Sequence, residues 1–257
     1  MNSWLLLIDP PASGAWNMAL DAALLEAAAH RGLACLRLYA WDPPTLSFGR
    51  HEPALRRYDR AAITARGLST VRRPTGGRAV WHDREVTYSV VAPEARFGAL
   101  RDAYLEIHRM LAAGLVALGA DVELAADRPA AAIGAGACFA TQAGGEVAAR
   151  EGGKVVGSAQ VRAGGALLQH GSILLDAGQD LVASVTVGAA APPDARGLRE
   201  LVDPARATWD DVAHAVARAA AARWGVPERP AALPAAVCAR AESLRAQYAD
   251  PEWIWRR

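Results

Sequence analysis

The sequence predicts an α+β fold, a mixed and largely antiparallel sheet packed with helices. Three observations point there. Alanine- and leucine-rich stretches with helical spacing cover 15–30, 98–118 and 209–224. Between them lie short apolar runs of strand length. Several of these are joined by turn-sized connections that fit antiparallel neighbours and not the crossovers of a doubly wound sheet. The length of 257 residues suits one large domain, alone or with an appendage, and allows a sizeable core.

The elements follow in order. Residues 4–8 read as a short buried strand closed by Asp9-Pro10-Pro11, and Ser13 offers a cap for a helix over 15–30 that ends at Gly32. Residues 33–41 and 45–50 read as strands on either side of Asp42-Pro43-Pro44, where two prolines remove ladder donors. A helix over 59–66 leads to a strand at 69–73, and Pro74-Thr75-Gly76-Gly77 is a loop by composition. The alternation in 86–92 suits a half-buried strand, and 98–118 is the clearest helix in the middle of the chain. Three β-like runs at 146–150, 154–162 and 166–176 are separated by Glu151-Gly152-Gly153 and Ala163-Gly164-Gly165, which supply the positive φ of tight hairpins. They predict an antiparallel meander. Thr208 caps a helix over 209–224, and a second helix near 235–248 follows the proline-bearing 227–234.

Charge and cysteine usage narrow the function class. Lys plus Arg total 28 against 27 Asp plus Glu, which removes the electrostatic case for a nucleic-acid binder or a peripheral membrane protein. Cys35, Cys138 and Cys238 form no CxxC pair and leave one thiol over under any disulfide scheme, as expected of a reduced cytoplasm. No export signal is expected at the N-terminus, and no segment reaches the about 18 uninterrupted apolar residues of a membrane span. Lys154 is the only lysine in a chain that otherwise uses arginine, so that position calls for a compact ammonium and not a planar fork.

Two stretches carry candidate chemistry. Residues 72–83 concentrate arginine, glycine and histidine between two strands; paired glycines admit a ligand close to backbone N–H groups, and flanking arginines can hold a carboxylate or phosphate. An ordinary charged hairpin gives the same composition. Cys138 follows Gly134-Ala135-Gly136-Ala137, a flexible address unlike those of Cys35 in a strand and Cys238 in an alanine-rich helix, which read as small core residues. A neighbouring cation raises the thiolate fraction of such a thiol, and Lys154 is available at the start of the following hairpin. His170 lies mid-strand beside Gly171, where a core histidine bonded to a carbonyl and a ligand contact are both possible readings. The histidines lack metal-ligand spacing, and no metal or cofactor is expected.

Five stretches in order resemble the lipoate-protein ligase A/octanoyltransferase superfamily, whose catalytic fold is shared with biotin protein ligases. They are Asn17-Met18-Ala19-Leu20-Asp21, 36–49, 72–83, Gly153-Lys154-Val155-Val156-Gly157-Ser158-Ala159-Gln160, and His170-Gly171-Ser172-Ile173-Leu174-Leu175. Ala137-Cys138-Phe139 ahead of the lysine motif, and Gly76-Gly77-Arg78 where ligases usually carry a third glycine, are most similar to the Cys-dependent octanoyltransferases of the LipM type.

The resemblance implies Cys138 and Lys154 as catalytic residues. It also implies an acyl site built from Arg72, Arg73, Thr75, Gly76, Gly77, Arg78, Ala79 and His82 with Gly157, Ser158, Ala159, His170 and Gly171. Residues 1–205 are then the acyltransferase domain and 206–257 a helical extension packed on it. The implied reaction moves octanoate from octanoyl-acyl carrier protein, through a Cys thioester, to a lysine of a lipoyl domain. Acceptors of this kind are the glycine cleavage H protein and the 2-oxoacid dehydrogenase E2. No nucleic acid or membrane takes part, and a monomer is expected. Two alternatives share the motifs: an ATP-dependent lipoate–protein ligase, in which Lys154 holds the carboxylate and α-phosphate beside Mg²⁺, and a lipoyl amidotransferase.

Overall fold

The computed structural model describes residues 4–126, 139, 144–188, 190 and 192–256. In chain order the first half comprises β1 (Trp4–Ile8), α1 (Gly14–Arg31), β2 (Ala34–Tyr39), β3 (Thr45–Phe48), α2 (Ala54–Arg57), α3 (Arg60–Ala65), β4 (Ser69–Arg72), β5 (Val80–His82) and β6 (Glu85–Pro93). The second half comprises α4 (Leu100–Ala117), β7 (Val122–Leu124), β8 (Val147–Ala149), β9 (Val156–Ala163), β10 (Ala166–Leu174), α5 (Asp180–Ser184), α6 (Trp209–Trp224), α7 (Ala235–Ala249) and α8 (Pro251–Ile254). The caps read from sequence are in place: the Ser13 hydroxyl accepts from Trp16 N, and Thr208 accepts from Asp211 N. Among the described residues no helix is long and apolar enough to cross a membrane.

The main sheet has the order β1-β2-β6-β10-β9, with β1 parallel to β2 and every other pair antiparallel. A smaller sheet has the order β4-β3-β5, in which β3 runs parallel to β4 and antiparallel to β5. This is the mixed, largely antiparallel α+β architecture that the sequence predicts. The meander over 146–176 differs from the expectation. Only β9 and β10 form the hairpin ladder, whereas β8 pairs with β7 and touches Lys154 through a single bridge at Ala148. β7 is three residues long, too short for its alternation to show in sequence.

Alternation along the central strands sorts the two faces of the main sheet. Leu36 and Leu38 of β2 with Val86, Tyr88 and Val90 of β6 face one core, filled from α4 by Ile107, Met110, Leu111 and Leu115 and from α6 by Val212 and Val216. The intervening positions face α1, where Leu7, Cys35, Val91 and Leu168 pack with Leu20, Leu24 and, from α7, Val237 and Ala241. The C-terminal helices thus cover both faces. The chain end is fastened by the buried Arg72, whose guanidinium donates to the carbonyls of Trp253 (3.0 Å), Ile254 (2.9 Å) and Arg256 (2.9 Å).

Candidate active site

Toward one end of the α1 face the sheet becomes polar. Register aligns Arg37, Ser89, His170 and Ala159 in one row across β2, β6, β10 and β9, and Tyr39, Thr87, Ser172 and Gly157 in the next. Residues two apart on a strand share a face, so six polar side chains with Ala159 and Gly157 form one patch against α1. A small cleft opens over it, lined by Met18, Tyr39, Trp41 and Val80 as apolar walls. Arg73, His82, Thr87, Gly157, Ser158, Ala159, His170, Gly171 and Ser172 complete the lining. The apolar walls with few polar groups match the usual make-up of small-ligand sites.

Each histidine of the cleft is oriented by a buried carboxylate. His170 Nδ1 lies 2.8 Å from Asp21 Oδ2 and its Nε2 2.6 Å from Thr75 Oγ1. Asp21, fully buried in α1, also accepts from Arg37 Nη1 (2.9 Å), Tyr39 OH (3.0 Å) and Ser89 Oγ (3.0 Å). Burial works to raise the Asp21 carboxyl, and the His170 hydrogen bond with the Arg37 charge outweighs it, so the group is held below the usual carboxylate range. Burial pushes His170 down despite Asp21. The pair therefore reads as a carboxylate and a neutral imidazole whose Nδ1–H donates to Asp21 and whose Nε2 accepts from Thr75. His82 repeats the arrangement: Nδ1 is 2.8 Å from Glu85 Oε1, Nε2 is 2.6 Å from Ser47 Oγ, and the ring stacks on Trp41 at 4.0 Å.

The loop between β4 and β5 closes over this floor. Arg73 reaches back to hold it, donating from Nη2 to the carbonyls of Gly76 (3.2 Å) and Arg78 (2.7 Å) and from Nη1 to Ser47 O (3.1 Å). Gly77 has φ 89°, a left-handed backbone that side chains rarely adopt, and a Cβ there would meet Arg73 Nη2 at 3.2 Å and Ala159 Cβ at 3.7 Å. Ala79 turns into the core of the small sheet, and Arg78 is half-buried. Arg72 points away from the cleft. Besides the chain end, its Nη1 donates to Gly49 O (2.7 Å) and Glu52 O (2.9 Å), so backbone carbonyls occupy the guanidinium that composition offers to a ligand.

Lys154 is buried just before β9, its Nζ 2.6 Å from Glu146 Oε1 and 5.3 Å above the Phe139 ring. Phe139 is equally buried, and a Cβ on Gly157 would lie 2.6 Å from its Cζ, so only glycine admits the ring at that point of the cleft lining. The ring thus touches both the cleft wall and the ammonium. Cys138, the residue before Phe139, lies outside the described residues, as do 127–137. On the α4 face beneath, Ser158 Oγ is 2.8 Å from His108 Nε2 and 2.6 Å from Tyr88 OH. Burial and then the Lys154 charge push His108 down to about 3, so it is neutral. Burial pushes the Cys35 thiol well up, in keeping with the core role read from sequence.

Sequence reasoning assigned no site role to Glu146, Asp21, Tyr39, Trp41, Thr87 or Ser172, although Asp21, Tyr39, Trp41 and Ser172 fall in the stretches that carry the resemblance. Glu146 had a signal, a carboxylate eight residues before the only lysine. Tyr39, Thr87 and Ser172 had one too, since each lies two residues along a strand from another polar position.

The lipoyl protein ligase A/B catalytic domain family matches residues 13–219. The octanoyltransferase LipM of Kyrpidia tusciae is 40% identical over the whole of both chains, and that of Moorella thermoacetica is 40% identical over 99% of this chain and 98% of its own. Among solved structures, lipoate-protein ligase A bound with ATP superposes with TM-score 0.84 at 21% identity, covering 99% of each chain. A putative lipoate protein ligase from T. acidophilum with bound lipoic acid does so with TM-score 0.82 at 21% identity, again covering 99% of each. The structures establish the fold, and the sequence relatives the branch within it. The chain belongs to the lipoyl protein ligase A/B catalytic domain family.

Proposed function

We propose that this octanoyltransferase of lipoate biosynthesis takes octanoate from octanoyl-acyl carrier protein onto Cys138 and passes it to a lysine of a lipoyl domain. The glycine cleavage H protein or a 2-oxoacid dehydrogenase E2 would be that acceptor, and the cytoplasm the setting. The observation that carries the reading is Phe139, the residue bonded to Cys138. It is packed on Gly157 with the Lys154 ammonium 5.3 Å above its ring. Full-length identity of 40% to octanoyltransferases supports it further.

In this reading the Cys138 thiolate attacks the donor thioester carbonyl, a C–S bond forms as the donor C–S bond breaks, and the leaving thiolate takes up a proton. The neutral amine of the acceptor lysine then attacks the acyl-Cys, the C–N bond of the amide forms as the C–S bond breaks, and the proton lost from the nitrogen passes to the departing Cys138 sulfur. Lys154 stabilises the thiolate and the oxyanion of each tetrahedral intermediate as a fixed positive charge in a dry site. Glu146 is the positioning residue that holds that ammonium. His170 and His82, oriented by Asp21 and Glu85, shape the polar end of the cleft. Burying six methylenes against Met18, Tyr39, Trp41 and Val80 contributes about 5 kcal/mol at ~0.8 each.

The test is transfer of octanoate from the carrier protein to a lipoyl domain without ATP, followed by intact mass of the acceptor. Transfer by the wild type and none by Cys138→Ala supports the reading. ATP-dependent transfer from free octanoate or lipoate that survives Cys138→Ala makes the chain a ligase instead.

A further inference from the structure

Several surface arginines in this molecule are matched to carboxylates. Arg84 and Arg199 pair with Asp176, Arg150 with Asp121 and Glu123, Arg223 with Glu106, Arg240 with Glu26 and Arg245 with Glu242. Residues 50–66 depart from that pattern, holding five arginines, Arg50, Arg56, Arg57, Arg60 and Arg66, against two carboxylates. Of the two, Glu52 is turned inward and Asp59, though exposed, is engaged as a helix cap. Glu52 is buried and accepts from Tyr58 OH (2.6 Å) and Gly49 N (3.2 Å), and Asp59 caps α3 through Ala62 N (2.9 Å). Among the described residues only Arg57 of the five makes an ion pair, with Glu52 at 3.5 Å. Arg50, Arg56, Arg60 and Arg66 are exposed. Crowding like charges on one short helical segment costs stability, so its presence in a chain that balances charge elsewhere calls for a partner.

The same face carries apolar surface. Leu55 is 51% exposed and Val187 59%, and the Val187 backbone is joined to the C-terminal end of α2, its N donating to Arg57 O at 2.8 Å. An apolar centre with an arginine surround is the usual composition of a protein-docking patch. The patch is also stitched to the mouth of the cleft: Arg50 N donates to Thr75 O at 2.8 Å, and Thr75 Oγ1 meets His170.

We propose that α2 and α3, with Leu55 and Val187 at the centre and Arg50, Arg56, Arg60 and Arg66 around them, dock an acidic face of the protein that donates the acyl group. This rests on the reading that the donor is a protein-bound thioester. The patch starts at the rim and runs away from it. A donor whose acyl group hangs on a long flexible arm can sit there and still reach the cleft, whereas an acceptor lysine must be brought to the cleft itself.

The test compares wild type with Arg56→Glu/Arg60→Glu in acylation by octanoyl-acyl carrier protein and by the small neutral thioester octanoyl-N-acetylcysteamine. Charge reversal is expected to lower kcat/KM for the carrier protein by about ten-fold or more at low salt, with the gap closing as ionic strength rises. Acylation by the small thioester and the KM of the acceptor domain stay unchanged. Arg56→Lys/Arg60→Lys is expected to restore the carrier-protein rate, and Arg56→Gln/Arg60→Gln to give an intermediate one, which keeps the comparison available if the double glutamate folds poorly. An unchanged carrier-protein rate in variants that the small thioester acylates normally overturns the docking surface alone. So does a rise confined to the acceptor KM, or duplex DNA binding that the reversal abolishes with donor kinetics unmoved. Failure of both thioesters to acylate the wild type removes the underlying reading and this proposal with it.

Discussion

At the scale of single residues, the site is a set of buried charges each given a fixed partner. Lys154 and Glu146 are both buried and 2.6 Å apart. Removing one member of such a pair leaves the other charge desolvated, a loss of about 3–5 kcal/mol. Glu146→Gln is therefore expected to lower the urea midpoint and to cut turnover by about ten-fold or more through loss of a fixed ammonium. Wild-type kinetics in that variant would contradict a positioning role. Lys154→Arg keeps the charge but replaces a point by a planar fork, and is expected to lose turnover as well. His108, held near 3 against an ordinary 6.5, and His170, also lowered, set the acid limit of stability. The unfolded chain takes up these protons from about pH 6.5 downward while the folded one resists, so stability falls as pH falls, by about 1.4 kcal/mol per pH unit for each such histidine. For His108 that window runs from 6.5 to about 3. Urea titrations between pH 7 and 4 check this, and His108→Gln is expected to show a shallower decline.

At the scale of elements, the polar patch exists because strand register brings alternate residues of β2, β6 and β10 into rows. Gly157→Ala puts a Cβ 2.6 Å from the Phe139 ring. Overpacking of this kind costs about 1–3 kcal/mol, and the displaced ring is expected to lower kcat more than it raises KM for the donor. Equal kcat with normal stability would show that the ring gives way freely. Much of this level was legible in the sequence. The capped helices over Gly14–Arg31 and Trp209–Trp224 stand where Ser13 and Thr208 placed them, and β6 and β10 lie within a residue or two of the runs read as strands. β5 and β7, three residues each, and the one-turn α2 were not legible, because no period can be counted in a single turn or three residues. The direction of Arg72 was not legible either. Its guanidinium is fixed by the carbonyls of Trp253, Ile254 and Arg256, more than 180 residues away in sequence. Removal of residues 251–257 is expected to destabilise the protein by several kcal/mol, since it strips acceptors from a buried charge. A thermal melt of the truncated chain decides it.

At the scale of the whole molecule, helices on both faces of the five-stranded sheet hold the cleft at one end of the α1 face. In the proposed reading Cys138 is what makes the chain a transferase and not a ligase, and its glycine-rich neighbourhood in sequence sets it apart from Cys35 and Cys238. The structure buries Cys35 under β6 and α1 and leaves Cys238 on α7. The Lys154 ammonium lies over the Phe139 ring, which packs on Gly157 of the cleft lining. The direct test is to mix the protein with octanoyl-acyl carrier protein, with no acceptor and no ATP, and measure its intact mass and the modified peptide. The account predicts one octanoyl group on Cys138 of the wild type and none on Cys138→Ala. An unmodified wild type, or an octanoyl group that persists in Cys138→Ala, would contradict it.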